Sequence, residues 1–314
     1  MSLHHWQTID CHYLFPRFAA AFLRLESGRA VFIENNTTHA VPFLLAALEA
    51  QKISPDRVDY LMVTHAHLDH AGATGKLVRL FPNALVLAHP KAARTLMDPS
   101  RLVASAKKVY GENQFNTLFG EITPVPPERI RALSDGEKWN WQGLEFESLF
   151  TDGHASHHLC FFEKNSNSIF TGDAFGLSYP DIRGKKAFHI PSTSPVDFNC
   201  TFALLAIDRI LKTGADRAFL THFGEIQELR RQGEILKKHL LFHQSLIEDC
   251  DKNHIPDSEV EGHIHAKLGE YFVQELRESG VSMTPVTEKI LKLDLDLNAA
   301  GLAFACLKRR KHIP

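Results

Sequence analysis

The sequence has no paired cysteines. Its five thiols, Cys11, Cys160, Cys200, Cys250 and Cys306, are odd in number, scattered and never two residues apart, so neither a disulfide framework nor a thiolate zinc site is indicated. They are expected to be reduced and mostly buried. Also missing is any apolar run approaching the roughly 18 to 20 residues that a bilayer span requires, and Met1 to Asp10 shows no charged-then-apolar-then-small leader pattern. A cytosolic location is the expectation. Neither charge is in excess: 35 Lys and Arg stand against 37 Asp and Glu, a net charge of -2, which excludes a general attraction to nucleic acid or to membranes. There is no low-complexity tract and no Gly-x-Ser-x-Gly elbow, so a disordered chain and a serine hydrolase of that type are set aside. What remains is 44% hydrophobic and 23% charged over 314 residues, enough to bury a large core in one big domain or two smaller ones.

The compositional excess is histidine, 19 residues. Histidine is the commonest metal ligand and the usual acid-base group near neutral pH, so what matters is whether these residues cluster at ligand spacing.

As far as about Thr221 the chain alternates short β-branched or aromatic runs with helical stretches, an α/β rhythm. Strands are expected over Ala21 to Glu26, Arg29 to Glu34, Val58 to Val63, Ala84 to Ala88, Leu144 to Phe150, His158 to Glu163, Ser168 to Thr171 and Arg217 to Leu220. Val41, Leu44, Leu45 and Leu48 share one helical face, as do Leu204, Ile207 and Leu211. After His222 the pattern turns helical: a stripe of Leu236, Leu240, His243 and Ile247, then a capping box of Ser258 and Glu261 opening a second helix that Gly280 ends, then a third from Thr284-Pro285. Leu291, Leu293, Leu295 and Leu297 alternate with period two, which leaves helix and strand both open there. The division expected is a catalytic domain over residues 1–224 and a mainly helical part over 225–314. Lys308-Arg309-Arg310-Lys311 reads as a solvated helix end rather than a nucleic-acid patch.

The decisive stretch is Val63-Thr64-His65-Ala66-His67-Leu68-Asp69-His70-Ala71-Gly72. Four potential ligands fall within six residues where an apolar strand runs out. In extended chain His65 and His67 point to one side, and a turn directly after brings Asp69 and His70 to a neighbouring position, so one loop can serve two metal ions. Such a loop cannot complete two coordination spheres, and further donors stand at other strand exits: His154 after Leu144 to Phe150, Asp173 after Ser168 to Thr171, and His222 after Arg217 to Leu220. Imidazoles with carboxylates suit zinc, with iron or manganese also accepted.

The order His-x-His-x-Asp-His, Gly-His, Thr-Gly-Asp and a last His resembles the metallo-β-lactamase superfamily, from about Ala21 to Gly224. The resemblance implies an αββα sandwich with a dinuclear site at one edge and a helical C-terminal extension. It further implies that His65, His67 and His154 hold one metal, Asp69, His70 and His222 the other, and that Asp173 bridges them. Within the superfamily the chain looks most like the glyoxalase II branch, through Gly153-His154, His158, Thr171-Gly172-Asp173 and the helical C-terminal part. It departs from the pattern in three places. Glu34-Asn35-Asn36 stands where an Asp-x-Gly usually supports the metal loop, Asp152 replaces a proline, and His157 replaces a glycine. The basic glutathione-binding residues have no counterpart.

A water bridging two cations has its pKa lowered toward roughly 7, so the expected nucleophile is a metal-bridging hydroxide, with Asp69 orienting it or accepting its proton. The expected activity is hydrolysis of an ester-type bond, thioester, ester or lactone, in a small molecule. A phosphodiesterase or nuclease on the same site and a non-hydrolytic diiron redox protein are the alternatives. No nucleic-acid or membrane partner is expected; a homodimer is allowed. His89 is either a pocket residue or a structural histidine, the second favoured. Support of His154 by Ser156, His157 and His158 is open. Tyr110-Gly111 and Gly176 to Pro195, with Tyr179, Arg183, Lys185, Lys186 and His189, read as loops over a cleft, the second a candidate substrate lid because it directly follows Asp173.

Overall fold

The computed structural model describes residues 6–184, 188–193 and 197–312, except the side chain at 312. Lys185, Lys186 and Pro195 of the expected lid lie outside the described residues. The strands are β1 (Gln7–Asp10), β2 (Ala20–Glu26), β3 (Arg29–Ile33), β4 (Val58–Met62), β5 (Leu85–Ala88), β6 (Ile130–Ala132), β7 (Lys138–Trp141), β8 (Leu144–Phe150), β9 (Leu159–Glu163), β10 (Ser168–Gly172), β11 (Arg217–Leu220) and β12 (Gly224–Gln227). The α-helices are α1 (Val41–Ala50), α2 (Leu68–Ala71), α3 (Thr74–Leu80), α4 (Pro90–Met97), α5 (Ser100–Tyr110), α6 (Glu112–Phe119), α7 (Cys200–Lys212), α8 (Leu229–Lys252), α9 (Val260–Glu278) and α10 (Pro285–His312). The chain divides into two compact units. One is Met1–Phe150, His157–Gly172 and Ala215–Ile226, the other Thr151–Ser156, Asp173–Gly214 and Gln227–Pro314.

The first unit is built on two six-stranded sheets, ordered β1-β2-β3-β4-β5-β6 and β12-β11-β10-β9-β8-β7. Strands β3 to β6 run parallel, and so do β10 and β11. Side chains alternate between the two faces along β2 to β5, and both faces are covered, which explains why these strands are mainly apolar. Phe22, Val31, Ile33, Met62 and Leu87 point to one side and share a core with Phe146, Leu159, Phe161, Phe170 and Phe219 of the other sheet. Leu23, Phe32, Leu61 and Val86 point to the opposite side, where Leu44 and Leu48 of α1, Leu77 of α3 and Leu96 of α4 cover them. In the centre of the inner core the Phe170 and Phe219 rings lie 4.8 Å apart at 11°, with Phe22 edge-on to Phe219 at 5.3 Å; aromatic pairs in such offset and edge geometries add about 0.5 to 1.5 kcal/mol each beyond burial.

Four strands have no counterpart in the sequence reading: β1, β6, β7 and β12. All four are sheet edges. Edge strands are short and half-solvated, so the hydrophobic signal that marks a central strand is weak in them.

The second unit is helical. Leu236, Leu240, His243 and Ile247 are buried on α8 as their spacing requires, and Val260, Ile264, Leu268, Phe272 and Leu276 form the buried stripe of α9. Gly233 lets α8 approach α7 closely, since a Cβ there would stand 3.0 Å from Leu211 and 3.3 Å from Ile207. Helix α9 starts one residue later than a Ser258 cap demands. Glu259 is its N-cap and no side chain caps it, so the Ser258–Glu261 box does not form. The open segment Leu291 to Leu297 is helical. The buried positions around it are Thr287, Ile290, Leu291, Asp294 and Asn298, a helical period hidden because three of its members are polar. Tyr110 closes α5 instead of lying in a loop, with Gly111 at φ 76° as the joint to α6. Arg310 near the chain end is ion-paired to Asp251 and Asp257. No helix among the described residues is long and apolar enough to cross a membrane.

Candidate metal centre

In the first unit the ligand-rich turn is fixed before it begins. Beyond the end of β4, Val63 N–H donates to Leu87 O at 3.0 Å, and Thr64 O accepts from Leu159 N–H at 2.9 Å, so the segment is stitched to both sheets. His65 is fully buried, with Nδ1 3.0 Å from Thr64 Oγ1 and Nε2 2.9 Å from His67 Nδ1. His67 is the N-cap of the single-turn helix α2, which turns Asp69 and His70 off the line of the strand.

Glu34-Asn35-Asn36 clamps that turn. The Glu34 carboxylate is 1% exposed; one oxygen accepts from Thr64 N–H at 2.8 Å and the other from His70 Nδ1 at 2.6 Å. Asn35 and Asn36 N–H both donate to His70 O, at 2.9 and 3.0 Å, and the Asn36 amide donates to Asp69 O at 2.7 Å. Glu34 and Asn36 sit at φ 63° and 57°, a left-handed conformation that non-glycine residues rarely take and that the surrounding hydrogen bonds hold in place. The replacement for the usual Asp-x-Gly thus supports the loop directly.

His222 follows β11, and its Nδ1 lies 2.8 Å from Phe18 O. Asp69 Oδ2 is 3.5 Å from His222 Nε2 and 3.9 Å from His70 Nε2. One donor atom from each of Asp69, His70 and His222 lies within 4.8 Å of the others. In the second unit, His154 Nε2 lies 3.5 Å from Asp173 Oδ2, and His154 Nδ1 lies 3.0 Å from Ser192 O. Gly153, at φ 139°, is where α7 passes: a Cβ would fall 2.4 Å from Ala203 N, so only glycine brings His154 to this place.

His70, His222 and His154 share a pattern. Each sets Nδ1 against a carboxylate or carbonyl oxygen. An acceptor there keeps the proton on Nδ1 and leaves Nε2 as the lone-pair nitrogen, the tautomer a metal ligand needs. The donor set and its tautomers therefore fit divalent ions, by the chemistry of the residues alone.

Neighbouring residues take the following places. His89 is the N-cap of α4, its Nδ1 accepting from Lys91 N–H, and burial pushes its imidazole down to about 4; it is a structural histidine. Ser156 bonds to Asp197, not to His154. His157 Nδ1 accepts from Ala66 N–H at 3.3 Å, and His158 stacks on His65 at 4.9 Å, so both support the His65 side. Gly172 is required by that packing: at φ 49°, a Cβ would meet Thr64 Oγ1 at 2.4 Å and His158 Nε2 at 2.7 Å. Among the described residues, much of the expected lid is buried. Leu177 and Ile190 form a bridge, and Tyr179, Ile182, Phe188 and His189 are all buried. Two supports escaped the sequence reading, Phe18 O and Ser192. Both act through backbone carbonyls or small hydroxyls, which leave no spacing signal. Tyr13 was also missed; burial, then the nearby Asp69 charge, raises its phenol well above the usual range, and the same two causes raise Tyr110.

Comparison with known proteins bears on the family and the fold. A protein of Sulfurisphaera tokodaii described as metallo-beta-lactamase fold-containing protein ST1585 is 24% identical over 86% of this chain and 94% of its own. Its crystal structure superposes with a TM-score of 0.65, covering 95% of this chain and 97% of that one. A metallo-beta-lactamase family protein of Thermus thermophilus superposes at 0.67, 20% identical, covering 98% and 93%. At those identities the likeness shows the fold, the metallo-β-lactamase sandwich with a helical C-terminal region. Shorter matches reach an atrochrysone carboxyl ACP thioesterase of Aspergillus fumigatus, 29% identical over 41% of this chain and 31% of that protein. A hydroxyacylglutathione hydrolase of Aeromonas hydrophila is 26% identical over 41% and 35%; this chain thus spans about a third of each of these two relatives. The family model for the metallo-beta-lactamase superfamily matches residues 27–222, a stretch that opens just before the Glu34 clamp and closes on the last histidine, and the chain belongs to that superfamily.

Proposed function

We propose that the protein hydrolyses an ester-type bond, a thioester, ester or lactone, in a small molecule, with two divalent metal ions, zinc foremost. His65, His67 and His154 would hold one ion and Asp69, His70 and His222 the other, with Asp173 between them. The observation that carries this is the grouping of Asp69, His70 and His222 within 4.8 Å, together with Nδ1 anchors that present Nε2 on three histidines. Two such ions supply a hydrolytic nucleophile at neutral pH and polarise the carbonyl under attack. The chain's own part is to fix positions. Glu34 holds His70, Phe18 O holds His222, and Asp69, held at its backbone by Asn36, is placed to orient the attacking water and take its proton. That two relatives are named as a thioesterase and a hydroxyacylglutathione hydrolase supports the ester-type bond; the net charge of -2 favours a small substrate over a nucleic acid. The test is elemental analysis of protein purified without added metal, followed by a panel of thioesters, esters, lactones and phosphodiesters. About two ions per chain and turnover of the acyl compounds support the reading; turnover of phosphodiesters alone overturns it.

A further inference from the structure

The second unit contains a buried polar chain that the proposed function does not use. Helix α10 carries Asn298, 2% exposed, in the middle of its buried face. Its amide donates to Asp294 O one turn back at 2.8 Å, while its Oδ1 accepts from Thr193 N–H at 3.0 Å and from the Thr193 hydroxyl. The Thr193 hydroxyl also reaches Asn298 O at 3.2 Å, and Thr193 is 1% exposed. A polar pair this deep in a helical unit is costly unless satisfied, and here each group has a partner. The residue before Thr193 is Ser192, which touches both ligand candidates of this unit: its carbonyl holds His154 Nδ1 at 3.0 Å and its hydroxyl donates to Asp173 Oδ2 at 2.9 Å. The antiparallel bridge between Leu177 and Ile190 secures the same segment from its other side.

We infer that Ser192 is a positioning residue for His154 and Asp173, and that the C-terminal helix α10 sets it through the Asn298–Thr193 clamp. On this inference, which rests on the metal-binding role proposed above, a helix more than two hundred residues downstream of the metal loop helps set the affinity of the centre. The carbonyl fixes the His154 tautomer. The hydroxyl holds one carboxylate oxygen of Asp173 in place, leaving its direction independent of the ion.

The experiment measures zinc affinity of the full chain by competition with a chromophoric chelator, and the visible absorption of the cobalt-substituted protein. The variants are Ser192→Ala, Thr193→Val, Thr193→Ser and Asn298→Ala, with unfolding of each metal-free chain as the control for folding. Ser192→Ala and Thr193→Val are expected to weaken zinc binding about 10- to 100-fold, the usual effect of removing a group that orients a ligand, and to alter the cobalt spectrum. Thr193→Ser keeps the hydroxyl and should restore wild-type affinity and spectrum. If Asn298→Ala fails to fold, the two substitutions at 192 and 193 still decide. A wild-type chain that binds two zinc ions, with Ser192→Ala and Thr193→Val binding them equally well, overturns this inference alone. A wild-type chain that binds no zinc overturns it together with the function on which it rests.

Discussion

Glu34 offers a test in which stability and metal binding come apart. Its buried carboxylate accepts two hydrogen bonds, from Thr64 N–H at 2.8 Å and His70 Nδ1 at 2.6 Å. Glu34→Ala strands both donors away from water, at about 1 to 3 kcal/mol each, so a loss of about 2 to 6 kcal/mol is expected along with weakened metal binding. Glu34→Gln fills the same space but offers one acceptor and one N–H₂. If its oxygen stays on Thr64, the amide faces His70 Nδ1, which must then give up its proton. That proton moves to Nε2, the nitrogen needed for the ion. The expected outcome for Glu34→Gln is therefore a smaller stability loss, about 1 to 2 kcal/mol for one mismatched bond, with metal affinity lowered about 10- to 100-fold. Denaturant unfolding of the metal-free chain gives the first number and chelator competition the second. A Glu34→Gln protein that holds its metal as tightly as wild type would refute the tautomer argument, and with it the role given to Glu34.

Other outcomes follow from the same structure. Asp69→Ala should abolish turnover and leave unfolding nearly unchanged, because the side chain is partly exposed and its backbone is held separately by Asn36; near-normal turnover on the acyl panel would contradict its role. Asp173→Ala should lower the metal content from about two ions per chain, and unchanged stoichiometry by elemental analysis would remove it from the centre. Gly172→Ala should destabilise the chain, since the new Cβ would press on Thr64 and His158 from a left-handed backbone; an unchanged unfolding midpoint would count against the packing described. Burial holds His189 down at about 4 and His243 at about 3, below the usual imidazole value of about 6.5. The unfolded chain takes up those protons first, so their contribution is whole above about pH 6.5 and is lost as the pH falls toward 4. Near pH 5 the two together give a slope of about 3 kcal/mol per pH unit, and His243→Leu should remove about half of it; an unfolding profile flat between pH 6.5 and 4.5 would contradict their burial as neutral rings.

The central strands and the ligands close to one another along the chain are legible from residue pattern. β3, β5, β9 and β10 are largely apolar and buried, β8 alternates apolar with polar residues, and a central strand of either kind cannot hide its pattern. His65, His67, Asp69 and His70 are legible because a strand end followed by one helical turn fixes their directions locally. Tertiary structure alone decided the edge strands, whose pairing depends on a neighbour and not on their own residues, and the helical state of Leu291 to Leu297, where Asp294 and Asn298 occupy buried positions that a hydrophobic pattern reads as gaps. It also decided which atom holds each histidine. Phe18 O and Ser192 O stand 204 and 38 residues from the rings they orient. A backbone carbonyl is common to every residue, so only folding selects the one that fixes a tautomer.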